Sequence, residues 1–101
     1  MNHKRLQREE VLEVLHRYKQ EFERRYGVTA LGVFGSVARN DATETSDVDV
    51  VVRLRDPDLF SLVHIKETLE QAFDGPVDIV HYRERMNAFL KDRIDQEAIY
   101  V

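Results

Sequence analysis

Apolar residues recur along this chain in two rhythms, and the switches between them mark out its elements. From Leu6 to Tyr26 the apolar positions are Leu6, Val11, Leu12, Val14, Leu15, Tyr18, Phe22 and Tyr26. The series 11, 15, 18, 22, 26 stays on one face at helical spacing, and Gly27 reads as the stop. VTALGVF, Val28 to Phe34, is rich in β-branched and aromatic residues and predicts a short strand. GSVARN turns, through one brief helical turn, and the polar DATETS has no period and reads as loop. DVDVVVRL, Asp47 to Leu54, predicts a second strand that RDPD ends. Helical spacing returns at Leu59, Leu62, Lys66, Leu69 and Phe73, with Val63 and Ile65 beside the stripe. DGP signals a turn, VDIVHY (Val77 to Tyr82) a third strand, and Met86, Phe89, Leu90, Ile94 and Ala98 a last helix before the closing IYV.

This order predicts an α+β fold, an α/β two-layer arrangement in which helices cover a small mixed β-sheet of three to four strands. The 101 residues allow one domain, 1–101, near the lower end of what a single core supports. No repeat, low-complexity segment or second domain is visible. The hydrophobic fraction of 43% is ordinary for a globular chain. A net charge of −4 argues against direct nucleic-acid binding, which leaves a basic surface. It leaves room for a nucleotide held through metal ions. Without cysteine there is no disulfide and no thiolate chemistry. The start, MNHKRLQREE, is charged and reads as no signal peptide, and no run approaches the roughly 18 apolar residues of a membrane span. A soluble cytoplasmic protein is expected.

The chemistry gathers in GSVARNDATETSDVD, Gly35 to Asp49, and in Asp78 of VDIV. Asp47 and Asp49 are two apart on a predicted strand, so both carboxylates point to one side, with Cα atoms roughly 6.5 Å apart. Val48, Val50 and Val52 point the other way, into the core, and fix the register that aims the acids. Asp78 is the only acid within an otherwise apolar strand; beside the second strand it would join the pair. Three crowded carboxylates repel and call for a hard cation such as Mg²⁺. Gly35 permits a tight turn whose backbone N–H groups can grip an anion, and Ser36 adds a hydroxyl. Arg39 can reach a phosphate or pair with an acid of the loop, and Asn40 suits a left-handed turn. Each acid alone has an ordinary explanation: Asp47 a cap after Ser46, Asp49 a polar residue on a wet face, Asp78 a strand-edge residue. All three beside a Gly-Ser turn fit phosphate and metal chemistry better.

Gly-Ser, ten residues (Val37 to Ser46), then Asp-x-Asp resembles the signature of the nucleotidyltransferase superfamily that contains DNA polymerase beta. Asp78 looks like that family's third acid. The short length most resembles the minimal nucleotidyltransferases that serve as antitoxins to HEPN-domain toxins, and LKDRIDQEAIYV looks like their tail. One departure is Asn40, where relatives often carry Gly; Asn tolerates the same backbone region. The resemblance implies a nucleotidyltransferase fold and transfer of AMP from ATP to a hydroxyl, a tyrosine of the partner RNase toxin in the antitoxin members. It implies two Mg²⁺ ions on Asp47, Asp49 and Asp78, with Gly35, Ser36 and Arg39 at the phosphates. Two other functions stay open: neutralisation by binding alone, and transfer to another acceptor such as a nucleic-acid end or small molecule. The chain has few residues left to wall in a small acceptor, which favours a protein. His3, His16, His64 and His81 lack zinc-like spacing. His16 and His64 read as helix-surface residues, and His81 as a candidate lining of the site. Tyr82 is an edge or interface aromatic, Tyr100 a packed one, and Arg53 and Arg55 are cations for a nucleotide, a partner or solvent.

Overall fold

In a computed structural model, which describes residues 6–101, the elements follow the predicted order with one addition. They are α1 (Arg8–Tyr26), β1 (Val28–Phe34), α2 (Gly35–Ala38), β2 (Val48–Leu54), α3 (Leu59–Phe73), β3 (Val77–His81), α4 (Ala88–Glu97) and β4 (Ile99–Tyr100). His3 and the charged start through Arg5 lie outside the described residues. Gln7 and Glu10 form a reciprocal capping box at the start of α1, and Gly27 ends it at φ +70°.

The sheet order is β3-β2-β1-β4. β1 pairs antiparallel with β2 and with β4, while β2 and β3 run parallel, joined through α3. A parallel pair needs such a crossover, and it brings the starts of β2 and β3 to one end of the sheet. The closing IYV supplies the short β4, Gly32 facing Tyr100.

Alternation divides the sheet's faces. Val48, Val50, Val52 and Leu54 join Leu31, Val33 and Val77 beneath α1 and α3, meeting Val11, Leu15, Phe22, Ile65, Leu69 and Phe73. The other face is thinly covered: Phe34 and Val51 pack on Ile94 of α4, with Val80, Tyr82, Met86 and Leu90 at the margin.

The third-helix stripe differs from the expected one. Its buried positions are Ser61, Ile65, Leu69 and Phe73, while Leu59 is 74% exposed and Val63 44%. The Asp58 cap explains the phase. Its carboxylate accepts from Phe60 N–H at 3.0 Å and from the Ser61 hydroxyl at 2.9 Å, seating Ser61 inward. The last helix starts at Ala88, capped by Asn87, so Met86 lies before it and Phe89 is 75% exposed. No helix among the described residues is long and apolar enough to cross a membrane.

Candidate active site

Phe34, the last residue of β1, faces Asp49 of β2, and Asp49 faces Asp78 of β3. One row across three strands thus holds the entrance to the Gly-Ser turn and two of the three predicted acids. Asp49 shares its face with Val51, and Asp78 shares its own with Val80; both point to the thinly covered side. Asp47 lies one residue before β2, exposed, rather than opening the strand. The ladder starts only at Val48, whose N–H donates to Pro76 O at 3.2 Å.

Asp49 is part-buried, and its pKa is pushed up to about 6. Burial is the main cause and the Asp78 carboxylate the next, with Asp47 adding to them; Arg93 and Arg39 pull the other way. Asp49 therefore feels both of the other acids. Among the described residues, no group of three or more His, Cys, Asp or Glu side chains stands in ready metal-ligating geometry. The donor set, all carboxylate oxygen and electrostatically crowded, suits a hard divalent cation.

Gly35 has φ +74°, and a Cβ there would collide with Asp49 Oδ2 and lie 3.0 Å from its Cγ. Only glycine lets the turn come this close to the acid. Arg39 N–H returns to Gly35 O (3.0 Å), Asn40 N–H to Val37 O (3.0 Å) and Asp41 N–H to Ser36 O (2.9 Å), closing the turn. Asn40 takes the expected left-handed conformation at φ 64°. Ala42 is buried, which anchors the polar loop, and Ser46 accepts from Thr43 N–H at 2.9 Å just before Asp47.

Arg39 makes the predicted loop ion pair, Nε to Asp41 Oδ2 at 3.3 Å, which with Glu97 raises its pKa. It also reaches a residue that the sequence reading missed. Glu97 Oε1 accepts from Gly35 N–H at 3.1 Å and from Arg39 Nη1 at 3.1 Å, with Arg93 Nη2 at 3.8 Å. Glu97 is 62 positions from Gly35, beyond any local spacing signal.

The other candidates fall elsewhere. His81 ends β3, on the opposite face from Asp78, and its Nε2 accepts from Leu54 N–H at 3.4 Å, so it does not line the acid site. Burial lowers its pKa. His16 and His64 are exposed on helices as expected, His64 stacking on Tyr26. Tyr82 donates to Asp95 at 2.9 Å and lies under Arg53, whose guanidinium pairs with Glu84 at 3.1 Å. Tyr100 is 49% exposed rather than fully packed.

A three-strand end carrying a glycine turn and opposed acids defines the nucleotidyltransferase class, and sequence comparison agrees. The nucleotidyltransferase domain model matches residues 15–101, and this chain belongs to that family. It is similar to the protein adenylyltransferase MntA of Thermococcus cleftensis, 34% identical over 94 residues, covering 92% of this chain and 94% of that one. Two solved chains share the fold at lower identity. One comes from a tri-AMPylated Shewanella oneidensis HEPN toxin in complex with its MNT antitoxin: TM-score 0.67, 17% identity, covering 92% of this chain and 70% of that one. The other comes from a toxin–antitoxin crystal structure with AMP-PNP: TM-score 0.68, 21% identity, covering 83% and 69%.

Proposed function

We propose that the chain is a Mg²⁺-dependent protein adenylyltransferase that moves AMP from ATP to a tyrosine hydroxyl of a HEPN-type RNase toxin and so acts as its antitoxin. The observation that carries this is the row Phe34–Asp49–Asp78, which sets the Gly35 turn so close to Asp49 that a Cβ at Gly35 would collide with its carboxylate. A turn able to hold a phosphate, in contact with an acid able to hold a cation, suits one ligand that spans both. The protein adenylyltransferase of T. cleftensis, aligned over nearly its whole length, supports the reaction class. The AMPylated HEPN toxin bound to its MNT antitoxin supports the partner.

In this reading Asp47, Asp49 and Asp78 hold two Mg²⁺ ions. When bound, these supply charge neutralisation along the triphosphate and favour the deprotonated acceptor hydroxyl, whose ordinary pKa near 10 makes it a poor nucleophile. Gly35 N–H, the Ser36 hydroxyl and Arg39 hold the outer phosphates. The acceptor oxygen bonds to the α-phosphorus, the bond from that phosphorus to the bridging oxygen breaks, and pyrophosphate leaves; the hydroxyl proton passes to solvent. The core-packed valines of β2 hold the backbone of Asp49 in place while this happens.

Asp47 and Asp78 are exposed, and two cavities flank the site: one of about 210 Å³ lined by Val37, Ser46 and Val48 beside Asp47, and one of about 300 Å³ lined by Val51, Tyr82 and Tyr100 on the sheet face that carries Asp49. An open site suits an acceptor that arrives with its own surface. The test is RNase activity of the toxin after incubation with this chain. Inhibition that needs ATP and Mg²⁺ and vanishes with Asp47→Ala/Asp49→Ala supports transfer. Inhibition that persists without ATP supports neutralisation by binding.

A further inference from the structure

Glu97 is the residue that the proposed reaction does not use, yet it sits in the middle of the phosphate-gripping groups. Its Oε1 receives the Gly35 N–H and Arg39 Nη1, both at 3.1 Å, with Arg93 Nη2 at 3.8 Å. These donors come from the glycine turn, the end of α2 and α4. The Glu97 side chain is only 22% exposed, against 44% for Arg39 and 39% for Arg93. A backbone N–H and two guanidinium groups converging on one oxygen make an anion site, and Glu97 fills it. Carboxylate and phosphate oxygens offer these donors the same acceptor chemistry.

We infer that Glu97 is an internal competitor for the nucleotide: its carboxylate occupies the position on Gly35 N–H and Arg39 that a terminal phosphate oxygen takes, and nucleotide binding exchanges one anion for the other. This rests on the reading of the Gly35–Ser36 turn as a phosphate site. Two anions cannot share one N–H at hydrogen-bond distance beside Asp49. Glu97 must therefore swing out toward solvent as the triphosphate enters, and the binding-competent state is a fraction of the resting population. Between turnovers the carboxylate keeps the turn and Arg39 in place. Glu97 is thus a positioning residue in the resting protein and a brake on nucleotide entry.

The experiment is titration of the full chain with Mg·AMP-PNP by calorimetry, comparing wild type with Glu97→Gln and Glu97→Asp, each checked for folding by thermal melting. Gln keeps an oxygen for the Gly35 N–H but removes the charge; Asp keeps the charge but withdraws the oxygen by one methylene. Both should bind the nucleotide tighter, Glu97→Gln by roughly three- to tenfold, because the competing state is weakened. The gap should narrow at high salt as the Arg39 and Arg93 pairs are screened. In turnover the gain should appear as a lower KM for ATP with kcat little changed, which a purely structural strut would not produce. Equal or weaker binding by both folded variants, with wild type binding well, overturns the inference and leaves the nucleotide reading intact. No binding by any of the three overturns the nucleotide reading, and this inference with it.

Discussion

The two faces of the sheet are built to opposite rules. Beneath α1 and α3 the side chains are aliphatic and aromatic, and Val50, Val52, Leu31, Val33, Ile65 and Leu69 are wholly shielded. On the α4 side, among the described residues, only Phe34, Val51 and Ile94 form a buried cluster. The same strands carry Asp49 and Asp78 on that side, with Arg93 on the helix above. The dry face supplies stability and register; the wet face inherits precise aim without burying enough to fold by itself. This division lets β2 carry a destabilising acid such as Asp49, since Val48, Val50 and Val52 on its reverse hold the strand in place.

Damage to the two faces should therefore separate. Replacing both Asp47 and Asp49 by Ala should cut AMP transfer by about a thousandfold or more, while the melting temperature stays level or rises. A rate assay and a melt on the same preparation check this. Ile65→Ala should do the reverse. Deleting a fully shielded aliphatic side chain should cost about 2–4 kcal/mol in a urea melt, with transfer per folded molecule unchanged below the transition.

Gly35→Ala should breach the division, because this residue touches both the backbone turn and Asp49. The left-handed backbone, together with the collision at the carboxylate, should cost roughly 1–3 kcal/mol of stability and lower transfer at the same time. Loss of stability alone would place the turn on the structural side.

The smallest effect is in pH. Asp49 has its pKa raised from 3.8 to about 6, so the folded state holds that proton more tightly than the unfolded one. Its contribution favours folding fully below the unfolded value and is lost as pH rises through about 6. In metal-free protein at pH 8, Asp49→Asn should therefore stabilise by on the order of 1 kcal/mol after solvent screening. The same proton competes with a cation, so Mg²⁺ affinity should fall by up to about tenfold per pH unit below that pKa. Melts and Mg²⁺ titrations from pH 5 to about pH 8 follow both trends.

What could be read from the chain follows the same line. The valine alternation of β2 is local, and it led to the strand and to Asp49 opposite the core face, while Asp47 falls just before the strand. Asp78 was legible as an acid out of place between β-branched neighbours; its pairing with Asp49 depends on the parallel β2–α3–β3 crossover. The α3 stripe is legible at Leu62, Leu69 and Phe73 but not at its start, because periodicity alone does not weigh a cap: Asp58 bonding Ser61 turns Leu59 outward. β4 is two residues long, too short to show a period, and forms because β1 offers it an open edge. Glu97 left no trace at all, since its partners are gathered by the fold from far along the chain.

The most direct test of the central claim is the intact mass of the HEPN-type toxin after incubation with this chain, ATP and Mg²⁺. Adenylyl transfer should add the mass of one AMP moiety, or a whole-number multiple, with wild type and none with Asp47→Ala/Asp49→Ala. A stable complex whose toxin keeps its original mass would contradict it and leave a protein that neutralises by contact alone.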